Sequence, residues 1–308
     1  MLRLTFLGTA SSRPTVSRNV SSLALQREGR MFLFDCGEGT QRQMMKYGVG
    51  FSMRDILISH MHSDHYLGLT GLLRTMSLQG RTEPLRIWGP KGGVQTLRTL
   101  RDLGGDRLMY EASIHSLEPS ECISGNGYRI EAFETDHTCE SIGFALIEEA
   151  RPGRFDVGQA RALGIPEGPL FGKLHQGEPV SLDNGRVVRS EELVGPPRPG
   201  RTIVYTGDTR PSRKTVEMVT GGDLLVHDAT FETSESSRAR ETGHSTAEEA
   251  AHVAAEAKVK RLVLTHISAR YAEQPGRLLD EARATFPSTD MAKDGWSVEV
   301  PHQNLENS

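Results

Sequence analysis

Seven histidine and aspartate residues of this 308-residue sequence lie at positions where their side chains could bind transition metals. Four of the seven fall within six positions. The string Ser59-His60-Met61-His62-Ser63-Asp64-His65 places three imidazoles and one carboxylate directly after an apolar, strand-like run. Imidazole nitrogens and carboxylate oxygens suit zinc and its neighbours in the first transition row. Because packing alone gives no reason to gather three histidines beside an aspartate, we interpret this string as a metal site.

Three further candidate ligands follow the ends of other predicted strands. They are His137 after the run 129–134, Asp208 after 202–206, and His266 after 261–264. In layered α/β folds, residues just beyond strand ends line the functional crevice. One zinc takes about four ligands, and the ligands of so short a loop cannot readily all face one ion. We therefore predict two ions, with Asp208 as the best candidate bridge.

The elements that must position these ligands alternate between short apolar runs and helix-like segments. Such alternation predicts strands layered with helices. The clearest helix spans 246–258, and its start matches a capping box formed by Ser245 and Glu248 or by Thr246 and Glu249. The predicted strands are 3–7, 22–26, 31–34, 55–59, 85–88, 129–134, 202–206, 224–226 and 261–265.

Proline and glycine recur through residues 151–200, so no long helix or strand is expected there. We interpret this stretch as an insertion that projects from the main fold, since such long loops are usually functional or flexible. From Arg151 to Pro199 there are seven Lys and Arg against six Asp and Glu, a formal charge of +1. The insertion is therefore nearly neutral.

Composition excludes several classes of protein. Hydrophobic residues make up 36% and charged residues 25%, and no apolar run approaches the length of a membrane span. The first residues lack the features of a signal peptide, so we expect a cytoplasmic protein. Cys36, Cys122 and Cys139 are widely spaced, which argues against disulfides and thiolate zinc sites.

The overall charge does not indicate a nucleic-acid-binding protein, because such proteins are usually basic and this chain has a net charge of −4 and a pI near 6.3. Several basic residues nevertheless lie in or near the segments that carry the ligands. Either they form a local positive path, or they are ordinary solvated charges. These residues are Arg13, Arg18, Arg74, Arg210, Arg213, Lys214 and Arg270.

The ligand pattern resembles the metallo-β-lactamase superfamily, and within it the ribonuclease Z family, over nearly the whole chain. Three strings are similar to family motifs: Phe34-Asp35-Cys36-Gly37-Glu38-Gly39-Thr40-Gln41, Tyr205-Thr206-Gly207-Asp208-Thr209-Arg210-Pro211 and Leu264-Thr265-His266-Ile267-Ser268-Ala269-Arg270-Tyr271. The resemblance implies an α/β fold, the αββα sandwich of that superfamily. It also implies one domain over 1–308, with a flexible tRNA-binding arm inserted at about 151–200.

Other features resemble this family rather than the wider superfamily. Gly243-His244-Ser245-Thr246 is similar to its His-Ser-Thr motif, and Gly168-Pro169 to the motif near the tip of its arm. The chain departs from the family at two positions. Asp228 in His227-Asp228-Ala229-Thr230 replaces the usual Glu, and Val16 in Pro14-Thr15-Val16-Ser17-Arg18-Asn19 replaces a frequent Lys.

The resemblance implies a zinc phosphodiesterase that cleaves precursor tRNA near the discriminator base, leaving a 3′-hydroxyl on the tRNA and a 5′-phosphate on the trailer. It assigns His60, His62 and His137 to one ion, Asp64, His65 and His266 to the other, and Asp208 to both. It also implies a homodimer, in which one subunit's arm reaches tRNA held in the other's site.

Chemical reasoning adds roles for residues around the metals. Asp64 is a candidate proton acceptor, because a carboxylate ligand beside the attacking water can take its proton. His244, and less surely His227, are candidates to contact the phosphate or protonate the departing 3′ oxygen; a structural role is the alternative. Asp35 is expected to orient a ligand or the loop.

Two other functions fit the same ligands. One is a small-molecule phosphodiesterase or another hydrolase of this fold, which would have no need of a fifty-residue arm. The other is an RNA-binding protein with structural zinc, which is disfavoured because seven ligands for two ions leave positions open for water and substrate. Zinc, manganese and cobalt all accept this ligand set.

Overall fold

A computed structural model describes residues 1–104 and 107–302 of the chain. These residues form two units, each with its own buried core. The main unit comprises Met1–Gly125, Arg129–Ile147 and Thr202–Pro301. The arm unit comprises Asn126–Tyr128, Glu148–Arg201 and His302. Within the described residues, no helix combines the length and apolar character needed to cross a membrane.

Sixteen strands lie in the described part of the chain. In chain order they are β1 (Leu2–Gly8), β2 (Ser22–Arg27), β3 (Arg30–Phe34), β4 (Asp55–Leu57), β5 (Leu85–Gly89), β6 (Ala112–Ser116), β7 (Cys122–Gly125), β8 (Tyr128–Glu134), β9 (Ile142–Glu148), β10 (Val180–Ser181), β11 (Val187–Val188), β12 (Thr202–Tyr205), β13 (Leu224–Asp228), β14 (Leu262–Thr265), β15 (Thr289–Met291) and β16 (Ser297–Glu299).

The same residues contain ten α-helices. They are α1 (Thr40–Lys46), α2 (Ser63–Tyr66), α3 (Leu69–Leu78), α4 (Val94–Asp102), α5 (Val157–Ala162), α6 (Pro169–His175), α7 (Arg213–Val219), α8 (Ser236–Glu241), α9 (Ala247–Glu256) and α10 (Gly276–Thr285). Helix α9 begins at a capping box, in which Thr246 Oγ1 accepts from the Glu249 amide and the Glu249 carboxylate accepts from the Thr246 amide. Of the two predicted caps, the structure forms this one.

The main unit contains two seven-stranded sheets, in the orders β16-β1-β2-β3-β4-β5-β6 and β15-β14-β13-β12-β9-β8-β7. Strands β3 to β6 run parallel, as do β12 to β15. Parallel neighbours end at the same edge of a sheet, so the loops that leave them are brought together.

Alternation along the strands builds a layered core. In β3, Met31 and Leu33 pack in a core shared with α1, α3 and α4, whereas Phe34 stacks on Phe144 and Tyr205 of the second sheet, with centroids 5.4 and 5.8 Å away. A second core joins β12, β13 and β14 to α7, α9 and α10. The order helices, sheet, sheet, helices is the predicted αββα sandwich.

The arm unit is built from short pieces, as its proline and glycine content predicts. Two backbone hydrogen bonds of 2.8 Å pair Arg151 with Arg198. Beyond them, α5, α6 and the hairpin β10–β11 enclose a small core that includes Ala160, Leu174 and Val188. Residues 151–200 thus contain a hydrophobic centre of their own.

All nine predicted strands are present, with ends that differ by up to two residues. Seven strands were not predicted. Five of them (β6, β7, β10, β11 and β16) are edge or arm strands with polar or very short sequences, and β15 has three residues. Strand β9 is different, because its apolar run from Ile142 to Leu146 is a signal that sequence reasoning missed.

Candidate metal centre

The seven predicted ligands meet where strands of the main unit end. His60 and His62 lie in the loop after β4, and Asp64 and His65 lie in the short helix α2 that follows it. The other three come after β8, β12 and β14 as His137, Asp208 and His266. The side chains form two groups.

The first group consists of His60, His62, His137 and Asp208, whose ligand atoms all lie within 4.8 Å of one another. His62 Nδ1 is 3.1 Å from both His60 Nε2 and His137 Nε2. Asp208 Oδ2 is 3.6 Å from His60 Nε2. Burial and the neighbouring imidazoles lower the pKa values of His60 and His62, which keeps both rings neutral.

The second group consists of Asp64, His65 and His266. Asp64 Oδ2 lies 3.5 Å from His65 Nε2 and 3.4 Å from His266 Nε2. Asp208 Oδ2 lies 3.3 and 3.2 Å from the same two nitrogens, so this carboxylate adjoins both groups. The structure therefore brings all seven predicted ligand residues together, in two groups that both adjoin Asp208.

Hydrogen bonds to the other ring nitrogen fix the orientation of two histidines in the second group. His65 Nδ1 lies 2.7 Å from Asp35 Oδ2, and His266 Nδ1 lies 2.9 Å from Thr230 Oγ1. Since Thr230 donates its own hydroxyl proton to Asp228, it accepts from His266. Each bond fixes the plane of its ring and turns Nε2 toward Asp64 and Asp208.

The first group is fixed in the same way by neutral partners. His137 Nδ1 donates to the Gly243 carbonyl at 2.7 Å. Ser59 Oγ donates to Asp35 at 2.9 Å and therefore accepts from His60 Nδ1 at 3.0 Å. Both Nε2 lone pairs again face the cluster. Metal-binding histidines show this pattern, with one nitrogen donating to a support and the other free.

The arrangement fits divalent cations. Imidazole nitrogens and carboxylate oxygens converge there, and these are the ligand atoms that zinc and its neighbours prefer. Among the described residues, the buried atoms His65 Nε2 and Asp208 Oδ1 make no hydrogen bond. Burial lowers the pKa of His65, but Asp208 and Asp35 outweigh it and raise that pKa well above its usual range. The site as built attracts positive charge.

Asp35 is the hub that supports this arrangement, as the sequence suggested. It is fully buried and accepts hydrogen bonds from His65, from the amide and hydroxyl of Ser59, and from the Tyr205 hydroxyl at 2.7 Å. Its φ of +54° is in the left-handed region, as is the φ of His266 at +60°. Backbone strain of this kind persists where surrounding structure fixes it, commonly at functional sites.

Gly207 shows why the loop before Asp208 needs a glycine. Its φ is +61°, and a Cβ there would lie 2.8 Å from Ser59 Cβ. A larger residue would push the Asp208 loop away from the loop that carries His60.

Asp228 and His244 form a pair beside the second group. Both Asp228 oxygens are occupied, Oδ1 by the amide and hydroxyl of Thr230 and Oδ2 by the Thr209 amide and His244 Nδ1 at 2.8 Å. Burial lowers the pKa of His244, but Asp228 outweighs it and raises the pKa to about 9. Although both residues lie close to Asp208 and His266, these bonds make them supports rather than ligands.

The remaining candidates have structural surroundings. His227 is completely buried, its Nδ1 bonds the Asp228 carbonyl, and it does not line the cleft at the metal cluster. Of the basic residues named from the sequence, Arg18 is buried against Thr9 and the Ala292 carbonyl, and Arg210 pairs with Glu249. The idea that these two contribute to a positive path is therefore wrong.

A cleft of about 690 Å³ opens onto the ligands. Arg13 and Arg270 line it, as the sequence suggested, but so do Arg238 and Phe231, which sequence reasoning missed. Nothing in the string around Arg238, on α8, distinguishes it from an ordinary surface helix. Arg74 and Lys214 line other cavities, and Arg213 pairs with Glu217 on the surface.

Comparison with known proteins gives relatives along almost the entire chain. A ribonuclease Z from Gemmatimonas aurantiaca is 55% identical over 301 residues, which is 97% of this chain and 96% of that protein. A ribonuclease Z from Haloferax volcanii is 50% identical over 99% of this chain and 97% of its own length. The chain belongs to the ribonuclease Z family. Membership confirms the predicted activity class, a metal-dependent endoribonuclease of tRNA 3′ processing.

Structural and domain comparisons agree with this membership. The short form of human tRNase Z has a TM-score of 0.70 and 28% identity, covering 97% of this chain and 99% of that one. Two family models also match parts of the chain. One, described as anti-Pycsar protein Apyc1, matches residues 2–151, and one described as a beta-lactamase superfamily domain matches residues 193–267. The predicted metallo-β-lactamase fold of this chain is confirmed.

Proposed function

We propose that this enzyme removes the 3′ trailer of precursor tRNA by cutting near the discriminator base, leaving a 3′-hydroxyl on the tRNA and a 5′-phosphate on the trailer. The observation that carries the proposal is the convergence of two histidine–aspartate groups on Asp208, at a cleft whose outer charges are all arginines. The name of the human neighbour, tRNase Z, supports the choice of substrate.

The residues present suit two zinc ions per subunit, and manganese or cobalt would fit the same donors. His60, His62 and His137 would hold one ion, Asp64, His65 and His266 the other, and Asp208 both. When bound, such a pair supplies a deprotonated water near neutral pH and positive charge beside the phosphate oxygens.

Asp64 is the proposed proton acceptor. Burial raises its pKa, but the adjacent His266 and His65 rings outweigh this and hold the pKa well below its usual range. The side chain is therefore a carboxylate at neutral pH. It lines the cleft, so one of its oxygens can take a proton from the attacking water.

His244 is the proposed proton donor. Asp228 holds its Nδ1, and the ring lines the cleft beside Asp64 and Asp208. With a pKa of about 9 the ring is protonated at neutral pH and can deliver a proton to the departing 3′ oxygen. The bond from Nδ1 to Asp228 fixes the orientation of the ring.

The arm unit is the proposed tRNA grip, and we place the enzyme in the cytoplasm as a homodimer. The support for the arm is that its own core lets it fold as a module within the insertion. Its nearly balanced charge means that shape and a few cations, rather than a strong positive field, would hold the RNA.

The test is cleavage of a precursor tRNA by zinc-loaded protein, with the cut mapped on substrates with and without an encoded CCA. Bis(p-nitrophenyl) phosphate serves as a small control substrate. We expect a single cut near the discriminator base. Turnover of the small diester with the precursor left intact would contradict the proposal.

The arm can be tested with a deletion that the structure makes precise. Arg151 and Arg198 are a hydrogen-bonded pair, so residues 152–197 can be replaced by Asn-Gly, the two-residue turn that closes such pairs. We expect binding of precursor tRNA to weaken at least tenfold while turnover of the small diester stays within about twofold. Equal losses would refute a role in gripping tRNA.

A further inference from the structure

The cleft has an uneven distribution of charge. The carboxylates that line the cleft are Asp64 and Asp208, which both belong to the ligand groups. Three arginines also line it: Arg13, Arg238 and Arg270. Hydroxyl side chains, which donate hydrogen bonds to anions, make up much of the remaining lining: Ser11, Ser12, Ser63, Thr138, Thr230, Thr242 and Ser268. The lining therefore favours an anion larger than one phosphate group.

The three arginines differ in their own contacts. Arg270 Nη1 is 3.1 Å from Glu235 Oε2, and its guanidinium lies over the Phe231 ring. Arg13 and Arg238 are exposed, and among the described residues neither side chain has an ion-pair partner or hydrogen bond. Two guanidiniums are thus free to bind a ligand in the cleft.

Arg13 belongs to a loop that is held at both ends. The Ser11 amide donates to the Ile267 carbonyl beside the ligand His266. At the other end, the buried Arg18 guanidinium donates to Thr9 Oγ1 at 2.7 Å and to the Ala292 carbonyl at 2.6 Å. These bonds fix the loop backbone, so Arg13 need order only its side chain when it binds.

Arg238 comes from a different element. It lies on α8, whose residue Ala239 is fully buried and fastens the helix to the main unit. Thr242, one turn further on, also lines the cleft. Arg13 and Arg238 therefore approach the cleft from two separate parts of the chain, which suits two separate anionic groups.

We propose that Arg13 and Arg238 bind the phosphodiester groups that flank the cleaved one, and that they select a polynucleotide over a small diester. Guanidinium groups match phosphate oxygens with paired, charge-assisted hydrogen bonds. This inference rests on the proposed function, because only an RNA chain brings flanking phosphates to the site. Neither residue touches the reacting atoms in this account.

The experiment compares Arg13→Ala and Arg238→Ala with Arg240→Ala, a matched control. Arg240 is exposed on the same helix as Arg238 but does not line the cleft. For each zinc-loaded protein, kcat/KM is measured on precursor tRNA and on bis(p-nitrophenyl) phosphate. The salt dependence of precursor-tRNA binding is measured in parallel, with bound zinc and the melting temperature as checks.

We expect each cleft variant to lose about tenfold on precursor tRNA, at least five times more than it loses on the small diester. The salt slope should fall by about one for each arginine removed. Arg240→Ala should match the wild type. Cleft variants that cut the precursor as well as Arg240→Ala would overturn the inference, as would equal losses on both substrates. A wild-type enzyme that leaves precursor tRNA uncut would instead overturn the proposed function.

Discussion

The two ligand groups share Asp208, but different kinds of neighbour support them. In the second group, His65 donates to the carboxylate of Asp35, and His266 bonds Thr230, which itself bonds Asp228. In the first group, His137 donates to a backbone carbonyl, and His60 bonds the Ser59 hydroxyl, which itself bonds Asp35. Only His65, in the second group, therefore donates its Nδ1 proton directly to a carboxylate. A carboxylate support makes a ligand imidazole more basic, so the second group should hold its ion more tightly.

The exposure of the ligand side chains also indicates that the second group holds its ion more tightly. His65, His266 and Asp64 are all buried, whereas His62 and His137 of the first group are half-buried. Water therefore competes more easily for the first position. The comparison suggests a firmly held ion beside Asp35 and a more exchangeable one on the side of His62.

We expect the largest loss of zinc and of activity from a substitution of Asp208, because this residue adjoins both groups. Asp208→Asn should reduce bound zinc to near zero and abolish cleavage, because both groups lose a charged ligand at once. Zinc per subunit after dialysis, measured by mass spectrometry, checks this. The control is Asp102→Asn, because the Asp102 carboxylate is exposed and belongs to neither ligand group. One ion retained in Asp208→Asn would show that the carboxylate is not shared.

Removing the charge of Asp35 should weaken the second group more than the first, because His65 contacts Asp35 directly and His60 reaches it only through Ser59. Asparagine keeps the shape and tolerates the positive φ. Asp35→Asn should lower zinc affinity at the second group about 10–100-fold. It should also reduce the free energy of unfolding of the metal-free protein by about 2 kcal/mol, because a charged acceptor with several buried donors is lost.

Zinc titration of Asp35→Asn, with urea unfolding of the metal-free protein, measures both changes. If both zinc affinities fell equally, the two groups would not differ in their supports as described.

The smallest effect should come from the support of the first group. Gly243→Ala puts a Cβ 2.9 Å from His137 Nδ1, at a φ of +71°. Gly221→Ala is a matched control, because its φ is +69° but a Cβ there meets nothing within 4 Å. Both variants should lose about 1 kcal/mol of stability from the strained backbone.

Only Gly243→Ala should weaken zinc binding, and only at the first group, by about tenfold. Equal zinc affinity in the two variants would remove His137 from the proposed ligand set.

Sequence reasoning predicts the ligands better than it predicts their supports. The spacing of His60, His62, Asp64 and His65 predicts a metal site, because packing alone gives no reason to place three histidines and an aspartate so close together. The supports depend on contacts between distant elements: the Tyr205 hydroxyl reaches Asp35 across 170 positions of sequence. A single sequence carries no signal for such a pairing.

The basic residues also show that a single sequence does not reveal which side chains reach the cleft. Arg18 and Arg210 lie within segments next to the site, yet the buried Arg18 and the half-buried Arg210 both have partners inside the protein. Arg238 lies in a stretch with no distinguishing pattern, yet it reaches the cleft. Proximity in sequence to a ligand does not tell which way a long side chain turns, since tertiary packing decides that.

We propose that seven side chains hold two ions, with Asp208 shared between them. Anomalous diffraction at the zinc edge from crystals of the zinc-loaded enzyme tests it most directly. We expect two peaks per subunit with the Asp208 carboxylate between them, and a stronger peak beside His65 and His266 than beside His62 and His137 after brief chelation. A single peak, or zinc bound away from these residues, would contradict it.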